Sequence, residues 1–69
     1  MIRVKLSRVM GDKRIRIQEL ADRTGLSRST ISLLYNEKVH RVDFGTLEKL
    51  CVALECQPGD LLVYEAQNP

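Results

Sequence analysis

The sequence contains few of the residues that build disulfide frameworks, metal centres or membrane segments. Two cysteines and one histidine among 69 residues are too few for a disulfide framework or a zinc finger. Cys51 and Cys56 have the spacing of neither a CxxC redox pair nor a zinc site, so we expect two small buried hydrophobic residues. No apolar run approaches the length of a membrane span or a signal-peptide core. The composition therefore predicts a soluble, reduced, cytoplasmic protein without a metal or a cofactor.

The sequence also lacks the patterns of a catalytic centre. Paired carboxylates, a nucleophile with a base at usable spacing and a glycine-rich phosphate loop are all missing. One histidine in a short helical chain leaves little room for a reaction site that excludes water. We therefore expect no enzymatic activity and no small-molecule ligand.

Positive charge is concentrated in the first part of the chain. Ten basic and four acidic residues precede Val42, which gives this part a net charge of +6. From Val42 onward Lys49 stands against five acidic residues, a net charge of −4, so the whole chain carries +2. A basic part joined to an acidic part is typical of a protein with one face for nucleic acid. Ordinary solvated charges would give the same asymmetry, so charge alone leaves both interpretations open.

Three helices are predicted in the basic part, where apolar residues recur at helical spacing. The first is expected to end near residues 11–13. Gly25 can take the left-handed backbone that ends a helix, and Ser27 is a good N-cap for the next one. The expected core-facing residues are Leu6, Val9 and Met10, then Ile17, Leu20, Ala21 and Thr24, then Ile31, Leu34 and Tyr35.

Two further helices are predicted in the acidic part. Asp43 is the expected N-cap of the fourth helix. Pro58 fits the first turn of a short fifth helix, for which Gln57 is a weak cap. The expected inward residues are Phe44, Leu47, Leu50, Cys51 and Leu54 in the fourth helix and Leu61 and Leu62 in the fifth.

The two ends of the chain do not follow the helical pattern. Residues 2–4 and 62–64 carry alternating β-branched or aromatic side chains, so they can pair as an antiparallel ribbon within one chain or between two copies. Residues 66–69 are expected to fray. The predicted fold is all-α, one domain over residues 1–69, with a short terminal β-ribbon.

The second and third predicted helices are separated only by Gly25, Leu26 and Ser27. A three-residue turn with a glycine makes the two helices cross steeply, which is the helix-turn-helix geometry. Ala21 is small where the helices approach most closely, and Ile31 fills the angle between them. Because these features coincide at one register, residues 17–36 are predicted to form a helix-turn-helix.

The sequence resembles the Cro/C1-type (XRE-like) helix-turn-helix repressors. The resemblance rests on residues 18–32 (QELADRTGLSRSTIS), 46–54 (TLEKLCVAL) and 57–62 (QPGDLL) and covers residues 6–62. It implies a five-helix, lambda repressor-like domain that docks its third helix in the DNA major groove, usually as a dimer on two half-sites. Asn36 matches a common phosphate contact of that family. Ile17 stands where many members carry a phosphate-binding glutamine, and Glu55 where a glycine or asparagine commonly ends the fourth helix.

One face of the predicted third helix points away from the core and is the expected DNA-reading face. Arg28 can present two donors to guanine O6 and N7. Leu33 is either an ordinary exposed leucine or a contact to a thymine methyl group. The predicted base-contacting residues are Arg28, Ser29, Thr30, Ser32 and Leu33.

Polar and basic residues around this face are the predicted phosphate contacts, since cations and helix N-termini favour phosphate. Arg3, Lys5 and Arg8 either reach the flanking DNA backbone or only solvate the first helix. The predicted phosphate contacts are Arg16, Gln18, Ser27, Asn36, Lys38, His40 and Arg41.

These patterns together predict a small transcriptional regulator that binds double-stranded DNA sequence-specifically. The resemblance implies a repressor that acts as a homodimer, whereas the residues themselves leave repression and activation open. Dimerisation is expected to use the fourth and fifth helices or the terminal Val63 and Tyr64, because that choice leaves the basic face to DNA. The alternative is an antitoxin-like or other protein-interaction module with the same fold. A protein-docking third helix would need a larger apolar patch than these short polar residues provide.

Overall fold

The computed structural model describes residues 1–66, which form five helices and two short strands. Residues 67–69, part of the end expected to fray, lie outside the described residues. The helices are α1 Leu6–Lys13, α2 Ile17–Thr24, α3 Arg28–Tyr35, α4 Phe44–Leu54 and α5 Pro58–Leu61, and the strands are β1 Ile2–Val4 and β2 Leu62–Tyr64. The five predicted helices and the terminal ribbon are therefore confirmed.

The buried core takes at least one apolar side chain from every helix. Leu20 of α2 and Ile31 of α3 have no exposed surface, which fixes the two helices against the rest of the domain. Burying one such side chain contributes about 1.5–3 kcal/mol to stability. The buried apolar residues are Leu6, Met10, Leu20, Ala21, Ile31, Leu34, Leu50, Leu54 and Leu61.

The turn between α2 and α3 is held by a glycine and a threonine. Gly25 has φ 76°, in the left-handed region, and its amide donates to the carbonyl of Ala21 at 2.9 Å. The Thr24 hydroxyl donates to the carbonyl of Leu20 at 2.7 Å and accepts from the amide of Leu26 at 3.1 Å. Leu26 is thereby turned back against the core. The predicted helix-turn-helix is present, and Thr24 contributes a turn contact that helical periodicity did not reveal.

Both predicted N-caps are present. The Ser27 hydroxyl accepts from the amide of Thr30 at 3.1 Å, and the Asp43 carboxylate accepts from the amide of Thr46 at 2.6 Å. The hydrogen bonds from Thr46 hold the pKa of Asp43 below its usual value. The helix α5 begins differently, since the amide of Gln57 donates to the carboxylate of Asp60 at 2.9 Å.

The helix α4 ends on a strained residue. Glu55 has φ 52° and ψ 50°, a left-handed conformation that costs a residue with a Cβ about 1–2 kcal/mol. The amide of Cys56 nevertheless donates to the carbonyl of Cys51 at 3.1 Å, so the turn that ends α4 is formed. The position tolerates glutamate at a cost in backbone free energy.

Replacing Glu55 by glycine is therefore expected to stabilise the fold. Because glycine also loses about 0.5–1 kcal/mol in chain entropy, the net gain in the free energy of unfolding should be about 0.5–1 kcal/mol. Thermal unfolding of Glu55→Gly and of Glu55→Ala measures this difference. The alanine variant removes the carboxylate and keeps the backbone strain, so an equal gain in both variants would contradict the backbone explanation.

The terminal strands pair within one chain. β1 and β2 are antiparallel, with Ile2 opposite Tyr64, Arg3 opposite Val63 and Val4 opposite Leu62. The amide of Lys5 extends this ribbon by donating to the carbonyl of Leu61 at 2.7 Å. Of the two pairings left open by the sequence, the structure adopts the one within the chain.

Several predicted core residues are less buried than expected. Tyr35, the last residue of α3, is 39% exposed, because the inward stripe of that helix consists of Ile31 and Leu34 alone. Phe44, the first residue of α4, is 88% exposed, since the buried stripe of α4 is formed by residues two turns further on. Cys51 and Cys56 are free and half-buried, and burial raises the pKa of the Cys56 thiol. The helical period was predicted correctly, and the extent of the core was overestimated.

Candidate nucleic-acid interface

The outward face of α3 lines an open groove of about 530 Å³. Leu33 is 46% exposed there, although it lies between the buried Ile31 and Leu34 of the same helix. Apart from Arg28, the polar side chains of the groove are short, and Leu33 and one residue from α2 are apolar. Its lining residues are Arg28, Ser29, Ser32 and Leu33 of α3 and Ile17 of α2.

Four of the five predicted base-contacting residues thus lie together on one surface. The fifth, Thr30, is half-buried and does not line this groove. Its hydroxyl accepts a hydrogen bond from Ser27 at 2.9 Å, which holds it beside the N-cap of α3. The sequence assigned Ile17 to the packing of the turn, and its position in the groove was missed.

Three predicted phosphate contacts already use their side chains within the protein. Gln18 donates to the carboxylate of Asp22 at 2.9 Å, and Ser27 is the N-cap of α3. Asn36 folds back along its own helix, where its side-chain amide donates to the carbonyl of Ser32 at 2.9 Å. A phosphate contact by Gln18 or Asn36 through its amide donors requires these bonds to be exchanged or shared.

The other predicted phosphate contacts are exposed, and none of them lines the groove. Arg16 immediately precedes α2, and Lys38, His40 and Arg41 lie in the loop between α3 and α4. Within residues 1–66 none of the four forms an ion pair. The same holds for Arg28, so no ion pair in the described part of the chain neutralises the positive charge of Arg16, Arg28, Lys38 and Arg41.

Arg3 of β1 and the neighbouring Lys5 form ion pairs within the protein. Arg3 donates to both carboxylate oxygens of Glu37, at 2.8 and 2.7 Å, and also lies 3.4 Å from Glu65. Lys5 pairs with Glu65 at 3.1 Å. Because acidic residues of the same chain neutralise Arg3 and Lys5, we expect these two residues to stabilise the ribbon.

Glu37 joins the ribbon to the end of α3, a contact that no pattern in the sequence indicates. Its carboxylate accepts from the amide of Val4 at 3.0 Å as well as from Arg3. The residue has φ 56°, and its own amide donates to the carbonyl of Leu34 at 3.1 Å. Glu37 therefore fixes the loop that carries Lys38 directly after the groove-lining helix.

Acid is expected to break the contacts of the Glu37 carboxylate with Arg3 and Val4. The hydrogen bonds from Arg3 and then from Val4 lower the pKa of Glu37 to about 2. A carboxylate with a lowered pKa stabilises the fold above its unfolded pKa, near 4.5, and that contribution is lost as the pH falls towards 2. We expect Glu37→Gln to reduce stability at pH 7 and to flatten its decline between about pH 5 and 2. Urea titrations at each pH measure this, with Glu48→Gln as the exposed control; equal pH slopes for wild type and Glu37→Gln would contradict it.

A family model described as the Cro/C1-type HTH DNA-binding domain matches residues 5–67. The chain belongs to the Cro/C1-type helix-turn-helix family. The resemblance drawn from the sequence is therefore confirmed, and with it DNA binding in transcriptional regulation as the family's role.

Two relatives of this Cro/C1-type chain agree with the family. The uncharacterized HTH-type transcriptional regulator YozG of Bacillus subtilis (strain 168) is 35% identical over 65 residues, which cover 94% of this chain and 77% of YozG. The crystal structure of a candidate DNA-binding protein from Bacteroides fragilis has a TM-score of 0.80 and 25% identity, and the match covers 91% of this chain and 100% of that one.

A second surface of the Cro/C1-type domain is apolar. Phe44 is 88% exposed and Val52 is 74% exposed, and both border a groove of about 660 Å³ between α4 and the start of α5. Leu47 and Pro58 also line it. We call these four residues the α4–α5 surface; they belong to a different part of the chain from the uncompensated cations.

None of the helices within residues 1–66 has the length and apolar character needed to cross a membrane.

Proposed function

We propose that the chain is a cytoplasmic repressor that binds double-stranded DNA sequence-specifically, with α3 in the major groove and with no catalytic step. The observation that carries the proposal is the outward face of α3. It combines an arginine free of ion pairs within the described part with short polar residues, and exposed cations precede α2 and follow α3 along the chain. Repression is the proposed outcome because the sequence resembles the Cro/C1-type repressors.

The base-reading residues in this proposal are those predicted from the sequence. The Arg28 guanidinium would donate to guanine O6 and N7, the commonest specific contact in the major groove. Ser29 and Ser32 keep the helix surface low, so that α3 can approach the base edges, and Leu33 would contact a thymine methyl group. Thr30 would contribute from the edge of this face, next to the N-cap.

The proposed phosphate contacts fix the position of α3 without reading sequence. Exposed cations precede α2 and follow α3 along the chain, and the first-turn amides of α2 and α3 present partial positive charge to a backbone phosphate. The contacts are assigned to Arg16, Gln18, Ser27, Asn36, Lys38, His40 and Arg41.

The proposal also includes a homodimer formed through the α4–α5 surface. An exposed Phe44 and Val52 beside one groove form the kind of apolar patch that is covered in an assembly. A two-fold axis through this surface would leave the α3 faces of both copies free. Two half-sites centred about 10 base pairs apart, or a multiple of that, are then expected.

Selection of bound sites from a random DNA pool tests the proposal. The expected result is a two-fold symmetric motif for the wild type, with an altered preference at one position for Arg28→Ala and at another for Leu33→Ala. An asymmetric motif would contradict the dimer and leave DNA binding in place. If no motif is enriched while a defined protein partner co-purifies, the protein-interaction module replaces the repressor.

A further inference from the structure

We propose that Ile17 is a second specificity-determining residue, which forms with Leu33 an apolar cleft for the C5-methyl group of one thymine. The inference rests on the proposed docking of α3 in the major groove. It adds a residue of α2 to a reading face that otherwise belongs to α3 alone.

Ile17 is the first residue of α2. Leu20 and Ala21 form the buried stripe of that helix, and Ile17 lies one turn before them on the same side. Its side chain is half-buried, with one part packed against the core. The remaining part lines the same groove as Leu33, Ser29 and Ser32.

The side chain of Ile17 and the helix that carries Leu33 are held in place before DNA arrives. A β-branched side chain has few rotamers, and packing of one side of Ile17 against the core restricts them further. The helix that carries Leu33 is fixed in the domain by the buried Ile31 and Leu34. An apolar cleft that needs no ordering loses little entropy when it receives a ligand group.

The apolar and polar groups of the cleft determine which base it can receive. Among the four unmodified bases, thymine alone presents a methyl group in the major groove, beside the O4 acceptor. Ile17 and Leu33 provide apolar walls for the methyl group, and the hydroxyls of Ser29 and Ser32 can donate to O4. Cytosine at that position would bring an amino donor and no methyl group, so the cleft selects thymine.

The experiment replaces each thymine of the selected site, one at a time, with deoxyuridine, which removes only the methyl group. Burying one methyl contributes a factor of about 4 in affinity, so one position in each half-site should show this loss. The ratio of affinities for thymine and deoxyuridine should fall to about 1 in Ile17→Ala and in Leu33→Ala. For Ile17→Val we expect a ratio between those of the wild type and Ile17→Ala. This smaller substitution is included because it is less disruptive to the fold than alanine.

The matched control is Ile2→Ala, which removes the same atoms from an isoleucine that is 61% exposed on β1. It should keep the wild-type ratio. Discrimination lost in Leu33→Ala but kept in Ile17→Ala and Ile17→Val would assign Ile17 to the scaffold and overturn the inference. Tight binding with no discriminated thymine would also overturn it and leave the proposed function intact, whereas absence of any specific binding would overturn both.

Discussion

Raising the salt concentration from about 50 to about 200 mM is expected to weaken DNA binding by about 10³- to 10⁵-fold. The reason is that Arg16, Lys38 and Arg41 are exposed and form no ion pair in the described part of the chain. Two copies with three to five phosphate contacts each would make about 6–10 contacts, each of which adds about −0.9 to the slope of log K against log salt. Fluorescence anisotropy titrations on the selected site at four salt concentrations measure this slope.

Two lysine variants separate local phosphate contact from net charge. Lys38→Ala should weaken binding to all sequences and reduce the magnitude of the slope by about 1 for each copy. Lys49→Ala removes the same charge from the exposed side of the acidic part and should leave the slope unchanged. A slope near zero for the wild type, or equal changes in both variants, would contradict the assignment of the basic face.

The second large effect is a loss of stability in Ile31→Ala. Truncating a fully buried isoleucine costs about 2–5 kcal/mol. A chain of 69 residues is expected to have only about 3–10 kcal/mol of total stability, so the variant should be partly unfolded at 37 °C. Urea unfolding followed by circular dichroism gives the difference.

Leu33→Ala is the control on the same helix. Leu33 is 46% exposed, and substitutions at surface positions change stability by about 0.5 kcal/mol or less. This variant should therefore unfold at nearly the wild-type urea concentration and still bind the selected DNA site less tightly. If Leu33→Ala and Ile31→Ala were equally destabilised, the division of α3 into a buried face and a reading face would be wrong.

Features that depend on neighbours along the chain could be predicted from the sequence. Ser27 and Asp43 each cap a helix through an amide three residues later, and Gly25 takes the left-handed φ that ends α2. Such contacts follow from residue type and spacing alone. For the same reason four of the five predicted base-contacting residues occur together on one helix face.

Features that join distant parts of the chain could not be predicted in this way. Arg3 and Glu37 are separated by 34 positions, and no local spacing brings them together. Phe44 follows the helical period of α4, yet the period does not say where the core ends, and the side chain is 88% exposed. Ile17 fits the core stripe of α2 and also reaches the groove, since a residue at a helix end can belong to both.

The most direct test of the central claim, that α3 reads DNA in the major groove through Arg28, is methylation interference at guanine N7. Dimethyl sulfate places a methyl group on this major-groove atom, where it blocks a donor from Arg28. In the wild type we expect one guanine in each half-site whose methylation prevents binding, and in Arg28→Ala this interference should disappear while other interfering positions remain. Interference by the same guanines in both proteins, or only by methylated adenines in the minor groove, would contradict the claim.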